Sequence, residues 1–217
     1  DASATGIGTI DSTGSFNNDA GFSIVTYTGS GSNPATIKHG LNIVPKVILL
    51  KKRTGASALS WKVYVEALGN TKYLILNGTE AEASDTSIWD STTPTSSVFT
   101  VGSSDTNNTD DYVAYCFAEK QGYSKFGSYT GNGNADGTFV YTGFKSSFIL
   151  LKKSSGAGTD WYIFNNKSPG YNDNNKSLRA NTTATEASAS GYSMDILSNG
   201  FKTRTSNYAV NGGSQSY

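Results

Sequence analysis

Short runs of β-branched and aromatic residues recur along the chain from residue 21 onward, separated by clusters of Gly, Asn, Asp and Ser. Runs of this length with such punctuation are typical of strands and turns. No stretch combines a sustained helical apolar period with caps at both ends. The candidate strands are 22–28, 46–52, 61–66, 72–76, 97–101, 112–119, 123–129, 138–144, 148–153, 161–165, 177–181, 192–197 and 201–204. The pattern predicts an all-β fold built from antiparallel sheets.

Residues 1–20 differ from the rest because they hold too few large apolar side chains to form a core. We interpret this segment as an extended linker or as a strand that pairs with something else. The sequence begins at Asp1 and its only methionine is Met194. We therefore expect the chain to be a fragment of a longer polypeptide or a processed product, and no signal peptide is visible in it.

An internal repeat with a period of about 100 residues organises the remainder of the chain. The matched segments occur in the same order in both copies. They are TYTGSGS (26–32) with SYTGNGN (128–134), KVILLKK (46–52) with SFILLKK (147–153), WKVY (61–64) with WYIF (161–164), and YLILNGTEAEAS (73–84) with SLRANTTATEAS (177–188). The repeat predicts two tandem homologous antiparallel β-sandwich domains, of jelly-roll or lectin-like type, at 21–119 and 120–217.

The second copy lacks the end of the first. DYVAYCFAE (111–119) closes the first copy, whereas GGSQSY (212–217) stands at the corresponding place in the second. On this alignment the last strand of the second domain is missing, which predicts an unpaired sheet edge unless the strand lies elsewhere in the parent polypeptide or comes from another chain.

Catalytic chemistry has few candidates. The single histidine, His39, lies in a turn-like segment, and we interpret it as a loop histidine that bonds the backbone rather than as a general base. Glu82 and Glu186 occupy matching places in the two repeats, so they are not expected to share one cleft as a glycosidase pair would. Cys116 is predicted to be a small apolar core residue. We expect no enzyme, and no catalytic residue is assigned.

Metal ligands are equally sparse, since one His and one Cys cannot form a zinc site. Calcium is retained as a candidate because the loops 105–111 and 172–175 are rich in Asp and Asn, although ordinary β-turns use the same residues. The lysine runs 51–53 and 152–153 end matched strands and are interpreted as solvated strand ends that limit aggregation. No cofactor or resident metal is otherwise assigned.

Charge and hydropathy exclude two classes of partner. The chain has 17 basic and 17 acidic residues, so it has no net field that would attract nucleic acid. No apolar run approaches the roughly 20 residues that a membrane-spanning helix needs. We expect neither nucleic-acid binding nor membrane insertion.

Aromatic residues supply the candidate ligand contacts. Trp61 and Trp161 match in the repeat and are predicted to lie in strands, within the core. Trp89 and Tyr171 lie among loop residues and have no counterpart in the other copy. Because glycan sites on β-sandwiches combine an aromatic face with Asn and Asp hydrogen bonds, Trp89 and Tyr171 are our predicted ligand-binding residues, although a loop aromatic can equally fold back onto its domain.

Three longer segments carry a family resemblance: GFSIVTYTGSGSNPATIKHGLNIVPKVILLKKR (21–53), YVAYCFAEKQGYSKFGSYTGNGNADGTFVYTGF (112–144) and LSNGFKTRTS (197–206). They resemble the duplicated C-terminal module of tail-fibre-like virion proteins from tailed bacteriophages, chiefly marine and cyanobacterial ones. The resemblance implies an extracellular location on the virion, in a tail or surface fibre, but it brings no catalytic residues.

Two functions are therefore expected as alternatives. The first is a virion structural and adhesion protein that forms a homo-oligomer with other virion proteins and contacts a bacterial surface glycan or protein. The second is a purely architectural subunit, such as a head decoration or filament protein, that binds only its neighbours. A glycan depolymerase would need a carboxylate pair in one groove, for which Glu82 and Glu186 are the sole candidates.

Overall fold

The computed structural model describes residues 2–55, 58–169, 171–188 and 190–217. Strands dominate, and every named strand pairing is antiparallel, which confirms the all-β prediction. The strands are β1 (Ser12–Asn17), β2 (Phe22–Thr28), β3 (Ala35–Lys38), β4 (Val47–Lys52), β5 (Lys62–Val65), β6 (Lys72–Ile75), β7 (Ala83–Ser84), β8 (Val98–Val101), β9 (Asp111–Phe117), β10 (Phe139–Tyr141), β11 (Phe148–Lys152), β12 (Trp161–Asn165), β13 (Lys176–Arg179), β14 (Ala187–Ser188), β15 (Met194–Leu197) and β16 (Gly200–Thr203). Short helices are α1 (Ala2–Thr5), α2 (Ser104–Asn107) and α3 (Tyr208–Asn211), with 3₁₀ turns at Glu66–Leu68 and Ser190–Tyr192.

The chain divides into two compact units. Unit 1 comprises Asp1–Ile75 and Glu82–Lys120, and unit 2 comprises Leu76–Ala81 and Gln121–Tyr217. The division after Lys120 lies one residue from the boundary that the repeat predicts. The segment Leu76–Ala81 belongs to unit 2, although the repeat alignment places it in the first copy.

Unit 1 contains a seven-stranded sheet in the order β1-β2-β9-β4-β5-β6-β7 and a separate β3-β8 pair. The interior strand β9 alternates between buried and half-buried positions, as expected for a strand with one face on a core. Tyr112, Ala114 and Cys116 point to the buried side and join the core cluster of this unit.

Residues 2–20 belong to unit 1. β1 pairs along its whole length with β2, and Ile10 is a buried core residue that forms a bridge with Ile37. Of the two interpretations of this segment, a linker or a pairing strand, the structure has a strand at Ser12–Asn17 whose partner lies in the same chain. Without β1, the outer edge of β2 would have unpaired backbone N–H and C=O groups. Such an edge can pair with a strand that has few apolar side chains.

Unit 2 contains a four-stranded sheet in the order β11-β12-β13-β14 and a three-stranded sheet in the order β10-β16-β15. Phe164, Met194 and Val210 are fully buried in its core cluster. The predicted strand at 123–129 is wrong, since none of the named strands covers it. In unit 1 the matching strand β2 pairs with β9 over seven residues. In the described part of unit 2, the matching strand pairing consists of Tyr129 with Tyr217 and Thr130 with Ser216.

The prediction that the lysine runs are solvated strand ends is wrong for Lys52, Lys152 and Lys153. Lys52 forms an ion pair with Asp110 at 2.5 Å, and its side chain is largely buried. Lys153 is fully buried and donates to the Ala157 carbonyl oxygen at 2.9 Å. Burying an ammonium group is tolerated where it is paired or fully hydrogen-bonded, as these groups are. Arg53 is exposed, as predicted.

Lys152 is buried in the same way. Its ammonium group donates to the carbonyl oxygens of Thr79 and Thr159, at 2.9 and 2.6 Å. Burial lowers the pKa of Lys152 to about 8, because removal from water penalises the charged form. The contact with Thr79 ties the segment Leu76–Ala81 to unit 2.

Candidate functional site

A cleft of about 260 Å³ opens on unit 2 beside the segment that joins β12 to β13. Tyr171 lies on its rim and is 79% exposed. Polar side chains make up most of the remaining wall; they are Lys145, Asn166, Lys167, Asn172 and Asn174. An exposed ring beside several amides and amines provides both a stacking face and hydrogen-bonding groups for a ligand.

Asn172 and Asn174 fix the segment that carries Tyr171. The side chain of Asn172 bonds both backbone groups of Ile196, accepting from the nitrogen at 3.0 Å and donating to the oxygen at 3.2 Å. The backbone of Asn174 exchanges two hydrogen bonds with Met194, at 2.8 and 2.9 Å. These bonds attach the segment to β15, so Tyr171 projects from an anchored backbone.

The other end of the segment is held by β12. The side-chain oxygen of Asn165 accepts from the backbone nitrogens of Lys167 and Ser168, at 2.8 and 2.9 Å. The Ser168 hydroxyl donates to Glu186 at 2.7 Å, and this bond is the main cause that holds the pKa of Glu186 below its usual value. The cleft wall is therefore supported from two strands and from one carboxylate.

The cleft segment is specific to the second repeat. Residues 166–175 join β12 to β13, whereas residues 66–71 make the matching connection from β5 to β6 in the first repeat. The second connection is thus four residues longer, and the extra length carries Tyr171. Sequence reasoning identified Tyr171 but missed Lys145, Asn166 and Lys167. The length difference between matched connections was the signal that could have located them.

The cleft has a positive lining. Lys145 and Lys167 are exposed, and none of its described lining residues is an Asp or Glu. Two exposed ammonium groups near one ring favour a ligand that carries negative charge.

Trp89, the other predicted ligand-binding residue, lies in a turn as expected, but its side chain is not available to a ligand. Trp89 is 1% exposed and belongs to the core of unit 1. Its ring packs edge-on against Tyr64 with centroids 5.7 Å apart, and its indole nitrogen donates to the Lys72 carbonyl oxygen at 3.1 Å. A buried ring has no face on which a ligand can stack. Trp89 folds back because burial of a large aromatic side chain is more favourable than its exposure.

The two repeat-matched tryptophans differ from each other. Trp161 is buried in β12, as predicted. Trp61 precedes β5 and is half-buried, with its ring tilted against Tyr115 at a centroid distance of 6.0 Å. The prediction of a core position within a strand is therefore wrong for Trp61.

A second groove, of about 480 Å³, lies on unit 1. Asp11, Arg53 and Asp111 supply its charged groups. The aromatic residues in its lining, Tyr27 and Tyr112, are both buried in the core. This groove therefore lacks the exposed ring that marks the cleft at Tyr171.

The two glutamates considered for hydrolysis each form an ion pair within their own repeat. Glu82 pairs with Lys72, and Glu186 pairs with Lys176 at 3.5 Å. The lysines occupy matching places on β6 and β13. The same ion pair therefore occurs in both repeats, where it links β6 or β13 to the segment that follows that strand.

His39 and Cys116 are both buried, and Cys116 is a core residue as predicted. His39 Nδ1 accepts from the Leu41 nitrogen at 3.2 Å, so Nε2 carries the proton and donates to the Thr95 carbonyl oxygen at 3.1 Å. Burial lowers the pKa of His39 and raises the pKa of Cys116 to about 12.

The acidic residues of the loop 105–111, one of the two loops considered for calcium, form contacts within unit 1. Asp105 pairs with Lys62 at 3.0 Å, Asp110 pairs with Lys52, and Asp111 accepts from the Thr28 hydroxyl at 2.7 Å. Across the described residues, no group of three or more His, Cys, Asp or Glu side chains is arranged to hold a metal ion.

Helices of the described residues are all too short or too polar to cross a bilayer.

Comparison with known proteins places the chain in a family. The family model described as "Domain of unknown function (DUF7483)" matches residues 1–217. No curated protein and no solved structure matches the chain. Because the family model covers the full sequence, the chain belongs to the DUF7483 family.

Proposed function

We propose that this chain is an adhesion module of a bacteriophage virion that binds a bacterial surface glycan in the cleft beside Tyr171. The observation that carries the proposal is the exposed ring of Tyr171 on an anchored segment, flanked by lysines and asparagines. The virion context comes from the sequence resemblance to tail-fibre-like proteins. No catalytic step forms part of this function.

A sugar ring fits the chemistry of the cleft. The C–H face of a pyranose packs on an aromatic ring, while its hydroxyl groups exchange hydrogen bonds with amides and amines. Tyr171 supplies the ring, and Asn166 and Lys167 stand beside it. Since Asn172 and Asn174 already hold the backbone, little ordering entropy is lost when a ligand binds.

The ligand class that we infer is an acidic glycan. Lys145 and Lys167 are exposed cations, and a uronate or another carboxylate on the sugar would lie between them. Exposed charge pairs are screened by salt, so binding should weaken between low and physiological ionic strength.

In this proposal each unit is a β-sandwich, and the protein works as a homo-oligomer within a fibre. The seven-stranded sheet of unit 1 with its β3-β8 pair, and the two sheets of unit 2, supply the layers that a sandwich needs. Weak binding at each cleft would be multiplied in an oligomer that presents several copies to one cell surface.

The test is binding of the 217-residue chain to an array of purified capsular and O-antigen polysaccharides, acidic and neutral. We expect saturable binding to acidic members and a loss of at least about tenfold in affinity for Tyr171→Ala. Tyr123→Ala is the matched control, because Tyr123 is another exposed tyrosine of unit 2, at 66%, outside the cleft lining. Equal binding by both variants would reject the cleft as the site.

An architectural subunit is the second candidate function. The observation that favours it is the exposed apolar surface along β11, where Phe148 is 61% exposed and Leu150 is 38% exposed. A strand of this kind at a sheet edge pairs readily with other polypeptide. A folded chain that binds no polysaccharide on the array would favour this function.

A further inference from the structure

The two repeats close with the same turn. In unit 1 the side-chain nitrogen of Asn107 donates to the Ser32 carbonyl oxygen at 2.7 Å. In unit 2 the side-chain nitrogen of Asn211 donates to the Asn134 carbonyl oxygen at 2.9 Å. Asn107 ends α2 and Asn211 ends α3, so the segments that follow the two helices can be compared. The segment of unit 2 is one residue longer, since Asp111 lies four residues after Asn107 and Ser216 lies five residues after Asn211.

Ser216 takes the place that Asp111 holds in unit 1. The backbone nitrogen of Arg53, directly after β4, donates to the Asp111 carbonyl oxygen at 2.7 Å. The backbone nitrogen of Ser154 lies at the matching place after β11 and donates to the Ser216 carbonyl oxygen at 2.9 Å. Asp111 is the first residue of β9, so Ser216 marks where the equivalent strand begins.

Tyr217 in turn matches Tyr112. The Tyr112 hydroxyl accepts from the Asn108 nitrogen at 2.9 Å, and the Tyr217 hydroxyl accepts from the Gly212 nitrogen at 2.7 Å. The backbone of Tyr217 also exchanges two hydrogen bonds with Tyr129, at 3.0 and 3.1 Å. The first two residues of a β9-like strand are thus in position in unit 2.

The strand position beyond these two residues lies along an exposed edge. In unit 1, β9 occupies it and pairs with β4 over six residues. In unit 2, β11 is the terminal strand of its sheet, and no named strand of the described chain pairs with it on the side away from β12. Phe148 and Leu150 are exposed there, whereas the matching Val47 and Leu49 of unit 1 are half-buried.

We propose that this edge of unit 2 is the docking site for a strand that runs on from Tyr217, antiparallel to β11, with the residue pattern of Val113–Phe117. The position of Tyr217 argues for this in-line source. In unit 1 the residue after Tyr112 pairs with Lys51, and the matching residue after Tyr217 falls opposite Lys152. Ser216 and Tyr217 already occupy the first two positions of this strand. A strand donated by another chain would therefore have to begin directly beside Tyr217.

The pairing in unit 1 gives the chemistry of this strand. Phe117 pairs with Val47 and Tyr115 pairs with Leu49 on the outer face. By the same register, the docked strand presents large apolar or aromatic side chains opposite Phe148 and Leu150. Its inward positions take small residues, because Ala114 and Cys116 fill them in unit 1 and both are fully buried there. Cross-strand apolar pairs of this kind stabilise a sheet.

The first experiment extends the chain after Tyr217 with Val-Ala-Tyr-Ser-Phe-Ala-Glu, the sequence of residues 113–119 with serine replacing the cysteine. We expect the melting temperature to rise by at least about 4 °C relative to the 217-residue chain. The matched control carries Ala-Val-Ser-Tyr-Ala-Phe-Glu, which has the same composition with inward and outward positions exchanged, and should give no rise.

A second pair of variants locates the effect on the edge. Leu150→Lys in the extended chain should remove most of the rise, whereas Leu178→Lys should not. Leu178 is the matched control because it is 39% exposed and lies on β13, in the same sheet but away from the edge. Sedimentation measurements on the unextended chain form the third arm.

The outcomes are decisive in each direction. A rise that depends on the residue pattern and on Leu150 supports the proposal. No rise, or an equal rise with the exchanged sequence, overturns it. A dimer of the 217-residue chain that Leu150→Lys dissociates, together with no effect of the extension, would also overturn it and assign the edge to a second copy.

Discussion

Tyr217 stacks on Tyr129 with ring centroids 4.9 Å apart and planes inclined by 16°. Tyr112 stacks on Tyr27 in unit 1 at 5.0 Å and 11°. The Tyr27 hydroxyl donates to the Thr106 carbonyl oxygen at 2.6 Å. The Tyr129 hydroxyl donates to the Val210 carbonyl oxygen, also at 2.6 Å. The duplication is therefore visible in three-dimensional contacts as well as in the sequence.

Replacing Tyr217 with alanine should destabilise unit 2 by about 3–5 kcal/mol, since a buried aromatic side chain and its stacking partner are lost together. Tyr217→Phe keeps the ring but removes the hydroxyl that donates to the Tyr208 carbonyl oxygen at 2.6 Å. That variant should lose only about 1 kcal/mol. Urea denaturation followed by near-ultraviolet circular dichroism measures both, and equal losses would contradict the stacking role.

Asn211 should be the most sensitive asparagine of unit 2. Its buried side-chain nitrogen donates to Asn132, Asn134 and Thr205, at 2.8, 2.9 and 2.8 Å. Asn211→Ala removes these three hydrogen bonds and should cost about 1–3 kcal/mol of unfolding free energy. Asn199→Ala, at an exposed position, is the control and should stay within about 0.5 kcal/mol of the parent chain. Similar losses in both variants would show that the Asn211 contacts do not hold the turn.

His39 should make the unfolding free energy depend on pH in one direction. Burial depresses its pKa below the ordinary value of 6.5, so the folded form stays neutral where the unfolded form takes up a proton. The contribution of His39 to the unfolding free energy is constant above about pH 6.5. As pH falls from there towards the folded pKa, the unfolding free energy decreases by at most about 1.4 kcal/mol per pH unit.

His39→Gln tests this dependence, because glutamine can still donate to the Thr95 carbonyl oxygen but does not titrate. Urea unfolding of both proteins between pH 5 and 8 should give curves that run parallel above pH 6.5 and converge below it. Parallel curves over the whole range would show that His39 is not held in its neutral form.

Cys116 should be inert in the folded protein. It is fully buried, and burial raises the pKa of its thiol to about 12, so almost no thiolate exists at neutral pH. Dithionitrobenzoate at pH 8 should label the chain rapidly in 6 M guanidinium chloride and at a rate limited by unfolding in buffer. Fast labelling in buffer would contradict the core position.

Strand positions were predictable from the sequence where apolar residues alternate, and β2 and β12 match their predicted bounds. β3, β7 and β14 were missed, and β1 was expected only as an alternative to a linker. Serine, glycine and asparagine dominate β1, which is a strand only because the edge of β2 offers it hydrogen bonds. The segment 123–129 has a strand-like sequence and matches β2 of unit 1, which pairs with β9. In unit 2 the equivalent of β9 reaches only to Tyr217, so the segment lacks most of that partner.

The side-chain environments were harder to predict than the strands. Trp89 and Tyr171 have the same loop-like sequence context, yet one is in the core and the other is exposed. Burial of Trp89 depends on Tyr64 and on the Lys72 carbonyl oxygen, both distant in sequence. Lys153 was likewise expected in solvent, but carbonyl oxygens and the ring of Tyr208, 3.7 Å from its ammonium, surround it. Such long-range partners leave no periodic signal.

The most direct test of the proposed adhesion site is nitrogen-15 chemical-shift mapping of the 217-residue chain titrated with an acidic oligosaccharide prepared from a polysaccharide that it binds on the array. We expect the shifted amides to cluster at Lys145, Lys167 and Tyr171, and to return to their free positions at high salt. Shifts centred instead on the unit 1 groove around Arg53 and Asp111, or spread evenly over the surface, would contradict a glycan site at Tyr171.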